Sequence, residues 1–240
     1  AYKAYDTGHS TFKTIDGKKY AFDEDGKMLY GWVNDDSTLA TDDSDWETAE
    51  YYMGSWEDGA LKTGWQKVSV YDQDEDDDYD YWFNFKSNGK KRFSTTDKKL
   101  NGKHYRFDER GVMVYEWALA SGAAASSSSV SNWQYFNSPE DGARVTKGWF
   151  KVVAPDDDND NTFKDYGVTS FAPGDAEDEN ERWYYADGDG ELYAGEIKKI
   201  KGKYYGFYPE GTDKAGSMLT GLCALVVQDG KITEVIERDK

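Results

Sequence analysis

The chain carries nine tryptophans, nineteen tyrosines and eleven phenylalanines in 240 residues. Four of the indoles, Trp56, Trp82, Trp133 and Trp183, stand where related stretches of the same chain carry something else, and a fifth, Trp46, has no matched position. An aromatic that every related stretch keeps is needed by the scaffold; one that appears in some of them is free for another task. Counted back from a shared Glu-Asp-Gly, Trp56 falls opposite Pro139, Trp133 falls opposite Glu50, and Trp82 and Trp183 fall opposite Lys19 and His104. Trp46 lies in an insert without a counterpart. An indole facing water offers a flat π-surface that stacks on the C–H face of a sugar or attracts a cation through the ring quadrupole. These five are the candidate ligand contacts. The competing role for an inserted Trp is to pin its own loop to the scaffold.

Carboxylates are the other abundant reactive groups, and their pattern argues against catalysis. A glycosidase needs two carboxyl groups held about 5 to 10 Å apart, one of them in a dry cleft that raises its pKa. Here they cluster in turns and acidic runs where water keeps them ionised. Two histidines, no Cys/His pair at zinc spacing and no phosphate-cradling glycine loop complete the case for a chain that is not an enzyme. The acidic runs do raise a calcium question. Asp72, Asp74, Asp76 and Asp78 alternate, and Asp156 and Asp158 recur at a matching place, so each run could offer oxygens to a hard cation. Neither has the glycine and bidentate glutamate of the helix-loop-helix calcium loop, which favours a solvated charge run.

These residues are positioned by a repeat. Tyr/Phe-alternating stretches run into an acidic or glycine turn and a second short strand, as in KYAFDEDGKMLYGW (Lys19 to Trp32), YWFNFKSNGKKRF (Tyr81 to Phe93) and HYRFDERGVMVYEW (His104 to Trp117). Seven such hairpins are expected, near 15–33, 46–68, 79–96, 100–119, 132–152, 182–199 and 200–222, with a capping segment at 223–240. Units of about 20 residues cannot each bury a core, so the interior is built between neighbours. The expected fold is all-β: a β-solenoid of stacked β-hairpin repeats with long loop insertions, forming a single repeat domain over 1–240. By period two, Tyr20/Phe22, Phe83/Phe85, Tyr105/Phe107 and Tyr205/Phe207 face the interior. Trp32, Trp65, Trp117 and Trp149 end the second strands and are assigned to the ridge between neighbours.

A longer period overlies the first. Copies one to three align with copies four to six: Asp16-Gly17-Lys18 matches Asn101-Gly102-Lys103, the insert Asn34 to Asp45 matches Ala118 to Asn132, and the acidic Tyr71 to Asp80 matches Pro155 to Glu181. The chain reads as internally duplicated.

Charge narrows the partners. With 47 acidic against 29 basic residues the formal net charge is -18, which repels phosphate backbones and anionic lipid alike. Nucleic acid and membrane are not expected as partners, and no cofactor is implied. The one cysteine, Cys223, cannot form an internal disulfide and is expected to be a buried, inert thiol. No run of about 18 apolar residues occurs, and the first ten residues lack an apolar signal core, as expected of a mature or excised fragment.

The unit G-K-x-Y-x-F-D-x-x-G-x-M-x-x-G-W resembles the cell-wall-binding repeats of choline-binding proteins and of the glucan-binding regions of glucansucrases, surface proteins of Gram-positive bacteria. The match is strong over Asp16 to Trp32, Asn101 to Trp117 and Gly202 to Gly221, and weak over the second copy. The resemblance implies a hairpin solenoid, an extracellular location on the bacterial cell surface, and non-catalytic attachment within a larger surface protein. A choline cage needs three aromatics from consecutive hairpins, and the departures at Lys19, His104 and the absent terminal Gly-Trp pairs argue against regularly repeated cages. The first reading is therefore a carbohydrate-binding module for a polysaccharide, by analogy an α-glucan such as starch. The alternatives are a choline or teichoic-acid wall anchor and a structural or protein-interaction rod.

Overall fold

The structure, a computed structural model, describes residues 12–35, 39–40, 42–157, 160–164 and 167–238. Every strand in it belongs to a two-stranded antiparallel hairpin, so the all-β stacked-hairpin architecture expected from the repeat is the one observed. In chain order the hairpins are β1 (Lys13–Ile15) with β2 (Lys18–Tyr20), β3 (Trp32–Val33) with β4 (Tyr51–Tyr52), and β5 (Gly64–Asp72) with β6 (Asp77–Phe85). Next come β7 (Thr95–Leu100) with β8 (Lys103–Phe107), β9 (Trp117–Leu119) with β10 (Trp133–Tyr135), and β11 (Gly148–Val152) with β12 (Arg182–Ala186). The last two are β13 (Ile197–Ile200) with β14 (Lys203–Gly206), and β15 (Cys223–Gln228) with β16 (Lys231–Glu237). One short helix, α1 (Pro173–Glu177), lies between β11 and β12.

The ladders are offset from the expected hairpin spans. The Gly-Trp end of one copy pairs with the Tyr/Phe strand of the next, whereas the turn inside each copy is closed by a single bridge such as Phe22↔Met28, Phe107↔Met113 or Phe207↔Met218. The reason lies in the tips. Asp16-Gly17, Asn101-Gly102, Lys201-Gly202 and Asp229-Gly230 all have positive φ at both residues, the two-residue turn whose twist matches that of paired strands. A longer Asp-x-x-Gly corner makes only a local bend. Both inserts therefore sit at hairpin tips, between β3 and β4 or β9 and β10, and between β5 and β6 or β11 and β12.

The chain divides into two compact units: Ala1–Lys98 with Arg106–Met113, and Lys99–Tyr105 with Val114–Lys240. In the first, Ala21, Leu29, Val33, Tyr51 and Met53 form one core cluster. In the second, Trp117, Val130, Trp133, Phe150, Phe171 and Tyr184 anchor a larger one, to which the β11–β12 insert contributes Phe171, Ala172 and Ala176. Each unit buries aromatic rings where most domains bury aliphatics, and such pairs contribute about 0.5–1.5 kcal/mol beyond their area.

Candidate ligand-binding site

Alternation along β11 and β12 sorts the rings onto two faces. Trp149 and Lys151 share one with Trp183 and Tyr185, while Phe150 and Tyr184 point the other way into the core. On the first face Trp183 stands edge-on to Trp149, with ring centroids 6.5 Å apart and planes at 86°. Tyr205, from β14, approaches Trp149 to 4.9 Å, and Phe207 stacks on it at 5.8 Å. The Met218 N–H donates to the Trp183 carbonyl at 2.8 Å, which holds the methionine against the base of that strand. Trp183 is 43% exposed, and Trp149, Tyr205 and Met218 are half-buried. Partly exposed rings set edge to face can attract a cation through their quadrupoles.

The first unit repeats the arrangement. Trp65 and Trp82 lie 6.4 Å apart at 83°, Phe107 is 5.6 Å from Trp65, and the Met113 N–H donates to the Trp82 carbonyl at 2.8 Å. Both indoles are half-buried.

Two further ring sets have the same register and are filled from within. In the second unit Trp117 and Trp133 lie 6.5 Å apart at 86°, and Tyr184, at the register position of Tyr205, is 5.4 Å from Trp117. Among them sits Phe171 from the β11–β12 insert, 5.4 Å from Trp117, 6.5 Å from Trp133 and 5.8 Å from Tyr184. All four rings are buried.

In the first unit the occupant is a cation. Lys91 bridges Phe85 as Met218 bridges Phe207, so it stands in the methionine's place. Its ammonium is 4.8 Å from the Trp32 ring centre, 5.5 Å from Phe83, 4.5 Å from Phe93 and 5.9 Å from Trp46. It donates to the carbonyls of Trp46 at 2.5 Å and Glu47 at 3.2 Å. Burial pushes Lys91 down to about 7, against the pull of Asp108 and Glu47 and with a further push from Arg110.

The structure separates the five candidate indoles. Trp183 and Trp82 belong to the two open ring sets. Trp56 is 68% exposed in the turn that begins at Ser55, and the Ser138 turn repeats its hydrogen bonds with Pro139 in the indole's place. Trp46 and Trp133 present no face to a ligand in this structure. Trp46 is buried with its indole N–H on the Tyr71 carbonyl at 2.8 Å, pinning its insert, and Trp133 is sealed by Phe171. Trp65, Trp149 and Tyr205 complete the open sets, but an aromatic recurs at their positions in most copies, so variability between copies does not mark them. The signal that finds them is the pairing of a Gly-Trp strand with the Trp-bearing strand across the next insert. Cys223 is half-buried at the start of β15 rather than fully buried.

The acidic runs do not converge. Asp72 is buried and accepts from Tyr81 and Arg110, both at 2.7 Å. Burial opposes its ionisation, but those hydrogen bonds outweigh it and hold the carboxyl below its ordinary range. Asp76 accepts from the Tyr71 hydroxyl, and the Asp74 N–H donates to Asp72 at 3.0 Å. Asp78 is exposed on β6, Asp156 is half-buried, and Asp158 lies outside the described residues. Among the described residues no group of three or more His, Cys, Asp or Glu gathers as a metal site.

Fold and ring geometry together define a class: a stacked β-hairpin repeat with perpendicular-ring pockets between its hairpins. Among solved structures the chain is similar to choline binding protein F of Streptococcus pneumoniae, at 22% identity and TM-score 0.50, over 95% of this chain and 58% of that one. It also matches the structure of that protein in the presence of a tetrasaccharide-pentapeptide peptidoglycan analogue, at 21% identity, TM-score 0.49, over 89% and 48%. The modular autolysin LytC of the same organism matches at 17% identity, TM-score 0.44, over 98% and 46%. The chain thus spans about half the length of these structures. The first match shows a shared hairpin-repeat fold. No family model and no curated protein matches the chain.

Proposed function

We propose that this chain is a non-catalytic cell-wall-binding module of a bacterial surface protein, and that its open ring sets hold the quaternary ammonium of choline or of a choline-bearing wall polymer. The observation that carries this reading is the packing of both Trp183 and Tyr205 against Trp149 on one face, with Trp149 and Trp183 at 86° and Trp183 43% exposed. A trimethylammonium presents methyl groups on all sides and suits rings that meet at right angles; a sugar presents a flat face and suits one broad platform. Trp56 and Tyr204 are the most exposed large aromatics among the described residues, at 68% and 72%, and the α-glucan reading rests on such single exposed rings.

Three further features agree with a cationic ligand. The net charge of -18 raises the local concentration of cations around the chain. Lys151, paired with Trp183 across the ladder, has its charge met by Glu181 at 3.2 Å. The similar fold of a choline binding protein supports the same reading. The half-length span relative to that structure suits a module cut from a longer protein.

The test is retention on a choline-substituted resin beside insoluble starch. Binding to the first with release by free choline is expected. Retention by starch alone would replace this reading with the glucan one.

A further inference from the structure

The ring set closed by Phe171 has no role in the proposal above. Its two indoles match those of the open set in the same unit to 6.5 Å and 86° in both cases. Its third ring, Tyr184, lies two residues before the bridge Ala186↔Leu192, as Tyr205 lies two before Phe207↔Met218. The frame of an open pocket is therefore complete here. Only the occupant differs, and that occupant comes from the insert at the tip of β11 and β12, not from the repeat.

The filler satisfies the pocket imperfectly. Among the described residues, the Trp133 indole nitrogen and the Tyr184 hydroxyl are buried in this cluster without a hydrogen-bond partner. A buried donor of this kind left unpaired is destabilising, and a phenyl ring supplies no acceptor. A related set in the first unit, with Glu50 at the place of the second indole, shows that such rings accept a cation: there Trp32 and Phe83 flank the Lys91 ammonium.

Resting on the reading of the open sets as ammonium sites, we propose that the pocket of Trp117, Trp133 and Tyr184 is a further quaternary-ammonium site that Phe171 keeps shut. The insert thus sets ligand capacity. The two open sets take choline, the Lys91 set is filled by the chain's own cation, and the Phe171 set is held in reserve. A ligand carrying a hydroxyl beside its cation, as choline does, suits the unpaired polar atoms better than the phenyl ring.

Equilibrium dialysis of the intact chain against labelled choline counts the sites. Two are expected for the wild type, three for Phe171→Ala, and two for Phe171→Met, whose flexible apolar side chain refills the space. A folded Phe171→Ala that still takes two choline molecules overturns the proposal, and so does a third site in Phe171→Met. Should Phe171→Ala unfold, choline at millimolar concentration is expected to restore its cooperative melting; unfolding that choline does not reverse counts against the proposal. No binding by the wild type would instead remove the ammonium reading of the open sets, a separate outcome.

Discussion

Lys91 holds its ammonium 4.8 Å from the centre of the Trp32 ring, buried in the register position that Met113 and Met218 occupy elsewhere in the repeat. Two of the ring sets thus have an occupant from the chain itself: the Lys91 cation here, and the Phe171 ring from the insert in the other. Which content a pocket has is decided by residues outside the repeat consensus.

The pH dependence of stability follows from that placement. Burial depresses the folded-state pKa of Lys91 to about 7, below the ordinary 10.5, so between these values the unfolded chain binds the extra proton. Stability contributed by this group is lost as pH falls through 7 and grows as pH rises above it. The facing charges are Asp108, Glu47 and Arg110. Urea midpoints should rise from pH 7 toward pH 9.5, and Lys91→Met should flatten that rise.

Glu116 gives the opposite slope. It holds a left-handed φ of 54° where Gly31 and Gly64 stand in equivalent Gly-Trp pairs. Burial, then the charge of Asp160, pushes its pKa up to about 7 from 4.5. A raised carboxyl pKa contributes stability that is lost as pH rises from 4.5 through 7. Glu116→Gly removes both the backbone strain and the half-buried charge and is expected to raise the melting temperature at pH 8, with Glu116→Gln raising it less.

Arg110 is the cation of a buried charge cluster in the first unit. Its guanidinium meets Asp72 at 2.7 Å and Asp108 at 3.2 Å, all buried. Arg110→Met leaves two carboxylates without their cation and should cost about 3–5 kcal/mol of unfolding free energy in urea titrations.

Tyr184→Phe tests the orphan hydroxyl. The group is fully buried without a partner, and desolvation raises its pKa. Removing it should leave stability unchanged or raise it by about 1 kcal/mol, measured as a shift in urea midpoint. A loss above that size would mean that the hydroxyl has a partner after all.

The repeat made most of the fold legible. Alternating Tyr/Phe strands and short turns predicted stacked hairpins, and the duplication predicted two matching pairs of inserts. Strand pairing was harder, because Asp25-Gly26 and Asp16-Gly17 both read as turns while only the second has two positive-φ residues that suit a tight hairpin. The candidate site was half legible. Looking for aromatics that vary between copies found Trp82 and Trp183 but set aside Trp65, Trp149 and Tyr205, which serve scaffold and pocket at once. Burial of Trp46 and Trp133 depends on inserts folding back over them, and loop sequences such as SGAAASSSS or the acidic run before Phe171 carry no periodicity from which that return could be read.

The most direct measurement is calorimetric titration of choline into the wild type and into Trp82→Ala/Trp183→Ala. The account predicts saturable binding by the wild type, its loss in the double variant, and a melting temperature that falls by only a few degrees because Trp183 is 43% exposed and Trp82 half-buried. Binding of unchanged strength and stoichiometry in the folded double variant would contradict it.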